Sequence, residues 1–210
     1  TQKEKKKVKK RSIWTICNYR ETQNKKTKKQ IMQLGLINRL KIDRFTSPGA
    51  FLKDPMGNEV LLPKKYLLEE FELEQEIDVF VFKDSEQRIV STTETPYLFL
   101  GEFKYLKVTQ ITPIGAFVDW GLDKNLLVPY SEQLIELEED EKFLIGLKYD
   151  DKTDRLYGSM KIKSFLEPCR EELKGQKVNL LICEYNDLGI NVIVNNKYEG
   201  LIFDNNIIIK

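Results

Sequence analysis

The 210-residue chain contains no histidine. That absence removes Ser-His and Cys-His nucleophilic machinery and every histidine-bearing zinc site. The three cysteines, Cys17, Cys169 and Cys183, show no C-x-x-C spacing and cannot all pair. They read as reduced thiols of a cytosolic protein. Long apolar runs are missing as well, so no stretch reads as a membrane span or as the apolar core of a signal peptide. No glycine-rich phosphate loop occurs. Excess charge is nearly absent too, with 34 Lys and Arg against 33 Asp and Glu.

That balance hides a split. Residues 1–31 hold 12 Lys or Arg and 2 Glu, whereas the remainder holds 22 basic and 31 acidic residues. The main body is therefore acidic, unlike a strong duplex binder, and any nucleic-acid contact has to come from a local face. The basic stretch, residues 1–31, has almost no apolar periodicity and reads as a disordered tail. Two readings of it stay open: a non-specific nucleic-acid tether, or a segment foreign to the native protein.

What the chain does have is an internal repeat. Gly35 to Lys65 aligns without a gap on Gly101 to Pro129 and beyond, 66 residues later. Leu40-Lys41-Ile42 falls on Leu106-Lys107-Val108, Gly49-Ala50-Phe51 on Gly115-Ala116-Phe117, and Pro63 on Pro129. A fainter third copy, with Gly189, Val192 and Leu201-Ile202, follows at an offset of 74. A period this long suits a small barrel better than a solenoid.

Each copy opens on a strand of alternating character, such as Leu106 and Val108 against Tyr105, Lys107 and Thr109. A turn rich in Pro and Gly follows, then a second strand carrying Phe51 or Phe117. A third strand, an acidic connection and a closing hairpin complete the unit. Five short strands in this order outline an OB-type barrel. The expectation is an all-β fold of tandem five-stranded barrels, the third incomplete: a tail at 1–31, then units at 32–95, 96–164 and 165–210. The acidic connections, Glu69 to Glu76 and Glu132 to Glu141, read as solvated helical faces, with a carboxylate metal site as the alternative. Phe165 to Lys174 reads as a linker or short helix.

Strand two decides the faces. The residue following the phenylalanine on its own face is Lys53 in one copy and Asp119 in the other. A charge there marks the face as wet, so two copies put a phenylalanine on the solvent side of a sheet. The alternative is that both rings are core and the charges mark strand ends. Exposed aromatics beside cations form a stacking surface for single-stranded nucleic acid. The candidates are Phe117, Lys107, Tyr105 and Arg155 in the second copy. In the first copy they are Phe51, Lys41, Lys53 and Arg39.

The pattern V-x-x-I-x-x-x-G-A-F-V-D-x-G followed by L-L-V-x-x-S-E resembles the S1 domain. More narrowly, G-E-F-K-Y-L-K-V, G-A-F-V-D-W-G-L-D-K-N-L-L-V-P and L-G-I-N-V-I-V-N-N-K-Y-E-G-L-I resemble the conserved virulence factor B family. These are bacterial proteins built from consecutive S1-type domains and a winged helix, and no winged helix lies within these residues. The resemblance implies single-stranded RNA binding in a bacterial cytoplasm, with the ribosome or RNA-processing proteins as further candidate partners. No cofactor, metal, membrane or small-molecule substrate is expected, and no enzymatic activity. Two departures stand out: Pro48 and Ile114 replace the aromatic before G-A-F, and Pro63 and Pro129 replace a third-strand histidine. A protein-interaction scaffold using the same aromatic face is the alternative, and a metal-dependent nuclease a more distant one.

Overall fold

The structure, a computed structural model, describes residues 32–170 and 172–206. The expected basic tail lies outside them. Thirteen strands make three sheets among the described residues. The first comprises β1 (Ile37–Thr46), β2 (Gly49–Lys53), β3 (Glu59–Pro63), β4 (Glu76–Lys83) and β5 (Ile89–Thr92). It closes into a barrel in the order β1-β2-β3-β5-β4, the seam being a parallel bridge between Leu61 and Val90.

The second sheet holds β6 (Phe103–Thr112), β7 (Gly115–Asp119), β8 (Leu126–Pro129), β9 (Lys142–Asp150) and β10 (Arg155–Ser159), ordered β10-β9-β6-β7-β8. It curls in the same sense and brings β8 beside β10, but no strand ladder joins those two edges. The third sheet is three-stranded: β11 (Leu180–Asn186), β12 (Gly189–Val194) and β13 (Tyr198–Phe203). No described helix is long and apolar enough to cross a membrane.

The three copies share one irregularity. Register shifts between Ile42 and Arg44, between Val108 and Gln110, and between Ile182 and Glu184, each time at the aligned position. Such a bulge adds a residue to one strand and re-aims the side chains after it. Arg44 then pairs with Phe51, and Gln110 with Phe117. The glycine opening strand two is required by close approach. A Cβ on Gly49 would lie 2.0 Å from the Leu62 carbonyl oxygen, and one on Gly115 2.3 Å from that of Val128.

Alternation places one residue set inside. Leu40, Ile42, Ala50, Leu52, Val60 and Leu62 fill the first barrel, and Leu106, Val108, Ala116, Val118, Leu126 and Val128 the second. Strand β4 breaks the rule, since Val79, Phe80, Val81 and Phe82 are all buried. Val79 and Val81 face the first core, while Phe80 and Phe82 belong to the second cluster. Phe80 meets the Trp120 ring edge-on at 5.7 Å, and Phe82 does so at 6.4 Å. A continuous apolar run in a strand signals burial on both faces, and here the second face is the neighbouring barrel.

The acidic connections depart from the helical expectation. Neither forms an α-helix; a 3-10 turn lies just before the first, at Lys64–Tyr66, and at the start of the second, at Tyr130–Glu132. Their backbone is used otherwise: Glu74 donates its N–H to the Ile42 carbonyl (2.9 Å) and Asp140 to that of Val108 (3.0 Å). A helix would have claimed those donors. The linker also stays largely irregular, with a 3-10 turn at Ile162–Phe165 and a parallel bridge from Glu167 to Tyr198.

Candidate nucleic-acid interface

Phe51 and Phe117 both lie on the outer face of strand two, half-buried, between core residues that are fully buried. The two rings meet different surroundings. In the first barrel the Arg44 guanidinium sits 4.2 Å above the Phe51 ring. A forked pair holds it there, with both terminal nitrogens on Glu59 (2.9 and 2.8 Å) and one also on Asp43 (2.7 Å). Lys53 joins the cluster, 2.9 Å from Asp43 and 3.3 Å from Glu59. Hydrogen bonds from Lys53 and then Arg44 hold the Asp43 carboxyl below its ordinary range, and Arg44 does the same for Glu59. The Phe51 ring is capped by its own protein.

The remaining first-barrel candidates are committed as well. Arg39 pairs with Glu76 (2.9 Å) and Asp78 (3.7 Å), and Lys41 with Glu74 (2.5 Å). These pairs are exposed and contribute little, so a polyanion can compete for the cation.

In the second barrel the four capping positions, Asp43, Arg44, Lys53 and Glu59, become Thr109, Gln110, Asp119 and Asn125. Among the described residues no guanidinium covers Phe117. Asn125 donates to the Thr109 hydroxyl (2.9 Å), which donates to the Phe117 carbonyl (3.1 Å). The Gln110 side chain stays free to bond a ligand.

Phe117 lines a groove of about 500 Å³ together with Gln110, Trp120, Lys124, Asn125 and Arg155. Leu127 lines it too, at the position aligned with Leu61, as does Leu156, the counterpart of Ile89 beside the bridging Val90. The groove thus opens next to the edge that carries the closing backbone bridge in the first barrel. Its far wall is the β4–β5 hairpin of the first barrel, through Phe82, Lys83, Ser85 and Gln87.

Charge in the groove is mostly positive. Lys83 pairs with Asp154 at 2.5 Å, and Tyr149 donates to the other oxygen of that carboxylate, which raises the phenol to about 12. Lys124 reaches across to the hairpin and donates to the carbonyls of Lys83 (3.0 Å) and Asp84 (2.7 Å). Burial pushes its ammonium down from the ordinary lysine value. Asp123 turns to Lys65 and Tyr66. Arg155 is exposed and makes no ion pair among the described residues.

Of the four second-barrel candidates, the structure therefore brings Phe117 and Arg155 together and separates the other two. Lys107 is opposite Asp119 and pairs with Asp140 at 2.8 Å. Tyr105, 43% exposed, donates its hydroxyl to the Ile182 carbonyl of the third sheet (3.2 Å). That sheet turns the face aligned with the Tyr105–Lys107 face toward the second barrel, where Leu181 and Ile193 pack with Phe103, Leu144 and Phe165. Gln110, Asn125, Lys124 and the hairpin were not legible from alternation, because the bulge inverts the phase after Val108. One signal was present: Arg44 and Gln110 fall on the apolar phase of strand one, where a polar residue is out of place.

Residues 34–94 match the S1 domain family. The uncharacterized protein YitL of Bacillus subtilis (strain 168) is 29% identical over 160 residues, covering 73% of this chain and 50% of that protein. Conserved virulence factor B of Staphylococcus epidermidis is 28% identical over 141 residues, covering 64% and 47%. The chain spans about half the length of the curated relatives it matches. Among solved structures, a multidomain protein with nucleic acid binding domains from Streptococcus pneumoniae TIGR4 superposes with a TM-score of 0.53 at 20% identity, over 82% of this chain and 63% of that one. At that identity the likeness concerns the fold. The first barrel matches the S1 domain family, and the chain as a whole is similar to the conserved virulence factor B proteins.

Proposed function

We propose that this protein binds single-stranded RNA in the bacterial cytoplasm, through the outer face of its second barrel, and serves post-transcriptional regulation rather than catalysis. Phe117 stacks a base, while Arg155 meets phosphate and Lys107 a phosphate further along the strand. The observation that carries the reading is the half-buried Phe117 ring on an outer face, uncapped and beside an unpaired guanidinium. Such a ring is a stacking platform, and single strands are read by stacking on aromatic side chains with cations along the backbone. The S1 match over the first barrel and the nucleic acid binding domains of the pneumococcal neighbour support the same class of ligand.

The test is a salt-dependent titration with single- and double-stranded oligonucleotides. Phe117→Ala is expected to cost about 1–3 kcal/mol of single-strand binding. Its ring lies outside both barrel cores, so the thermal midpoint moves little. A variant that unfolds, or that binds RNA as the parent does, would sink the reading.

A further inference from the structure

We infer that the first barrel acts in RNA binding as a wall of the second barrel's site, and that the groove between the two takes one unstacked base of the strand. This rests on the reading above and deepens it. The groove has two owners: Phe117, Gln110, Asn125 and Arg155 come from the second barrel, and Ser85 and Gln87 from the β4–β5 hairpin of the first. Its volume, about 500 Å³, suits one nucleoside and not a stacked run, small-ligand sites spanning roughly 300–1,000 Å³.

The two walls are held before any ligand arrives. Phe80 and Phe82 pack on Trp120, Lys83 pairs with Asp154, and Lys124 ties the hairpin's carbonyls to the second barrel. Such a preformed cleft avoids the ordering cost that a hinged pair of domains would bear on binding. The groove also offers the chemistry of a base edge. Among the described residues the side chains of Gln110 and Gln87 have no hydrogen-bond partner, and Asn125 spends an N–H on Thr109 while its carbonyl oxygen stays available. Amide groups of this kind both donate and accept, as the edges of an unstacked base require. The first barrel's own ring, by contrast, is under Arg44. Its contribution is the hairpin.

Gln87 decides the matter experimentally, because it is exposed at the hairpin tip and belongs to neither core. The whole chain is titrated with a labelled oligouridylate of about ten nucleotides, within the span one OB fold covers. Gln87→Lys is expected to tighten binding about fourfold at near-physiological salt and Gln87→Glu to weaken it by a similar factor, the worth of one counterion on a single strand. A 4-thiouridine version of the same oligonucleotide is expected to crosslink to residues 83–87 as well as beside Phe117. If both Gln87 variants bind as the parent does and crosslinks fall on the second barrel alone, the shared groove is wrong while the RNA reading stands. If Phe117→Ala is also without effect, the RNA reading itself has failed.

Discussion

The outer faces of the two barrels began from one pattern and ended differently. Both carry a phenylalanine at the same aligned position, both carry the same bulge, and both pair a residue of strand one with that phenylalanine in the ladder. In the first that residue is Arg44, locked by Glu59 and Asp43; in the second it is Gln110, with Asn125 opposite. Four differences at the rim separate a ring capped by its own protein from one without that cap. A family pattern read from strand two alone would score the two faces equally. Three of the four rim positions lie off strand two, and the rim decides which ring is covered.

The largest expected effect tests whether the two barrels are one body at all. Phe80→Ala should cost about 3–5 kcal/mol, the usual range for deleting a buried aromatic, and the loss should show as a shifted chemical-denaturation midpoint. Because Phe80 faces the second barrel, the groove should loosen with it. Unchanged stability would mean that the barrels fold independently.

Next comes an exchange of rims. Gln110→Arg with Asn125→Glu rebuilds the first barrel's cap over Phe117, and should remove about 1–3 kcal/mol of single-strand affinity, as losing the stack would. The reverse pair, Arg44→Gln with Glu59→Asn, should uncover Phe51 and lengthen the occupied site, read as a change in stoichiometry. Equal binding by all of these would show that the rim does not discriminate.

A smaller effect is expected from Lys107→Ala. It removes one phosphate contact, so the salt slope should fall by about 0.7 on a single strand. Lys41→Ala, at the same position of the first barrel, should leave the slope where it was. The comparison is run on one oligonucleotide across a salt series.

The smallest effect concerns pH. Asp43 and Glu59 titrate below the ordinary carboxylate range because Lys53 and Arg44 bond their charged forms. A carboxylate whose folded value is depressed stabilises the fold above its unfolded value, and loses that contribution as pH falls through the folded one. The cap over Phe51 should therefore persist through neutral and mildly acidic pH and release only below the usual carboxylate values. The Phe51 ring resonances report this, and Phe117, which lacks the pair, should not move with them.

Much of this was legible in the chain itself. The gap-free repeat, the alternation of Leu40 with Ile42 and of Leu106 with Val108, and the glycine before each phenylalanine were enough for tandem barrels. Lys53 and Asp119 were enough to turn Phe51 and Phe117 outward. Other features were hidden for specific reasons. The bulge beyond Ile42 and Val108 is invisible to a period-two count, so Arg44 and Gln110 were missed. The acidic connections read as helical because Glu favours helices locally, yet Glu74 and Asp140 spend their N–H groups on strand one. Tyr105 shares its phase with Lys107, but its hydroxyl is taken by the third sheet.

The sequence by itself determined which residues turn inward and which outward, because alternation and close-approach glycines are local properties of a strand. It also carried the repeat itself, since a repeat is written in the order of residues. Tertiary structure alone decided which of two like faces is open and where the groove lies. Those depend on contacts between residues far apart in the chain: Phe80 and Phe82 on Trp120, and Lys124 on the hairpin of the other barrel. No window along the chain contains both partners of such a contact.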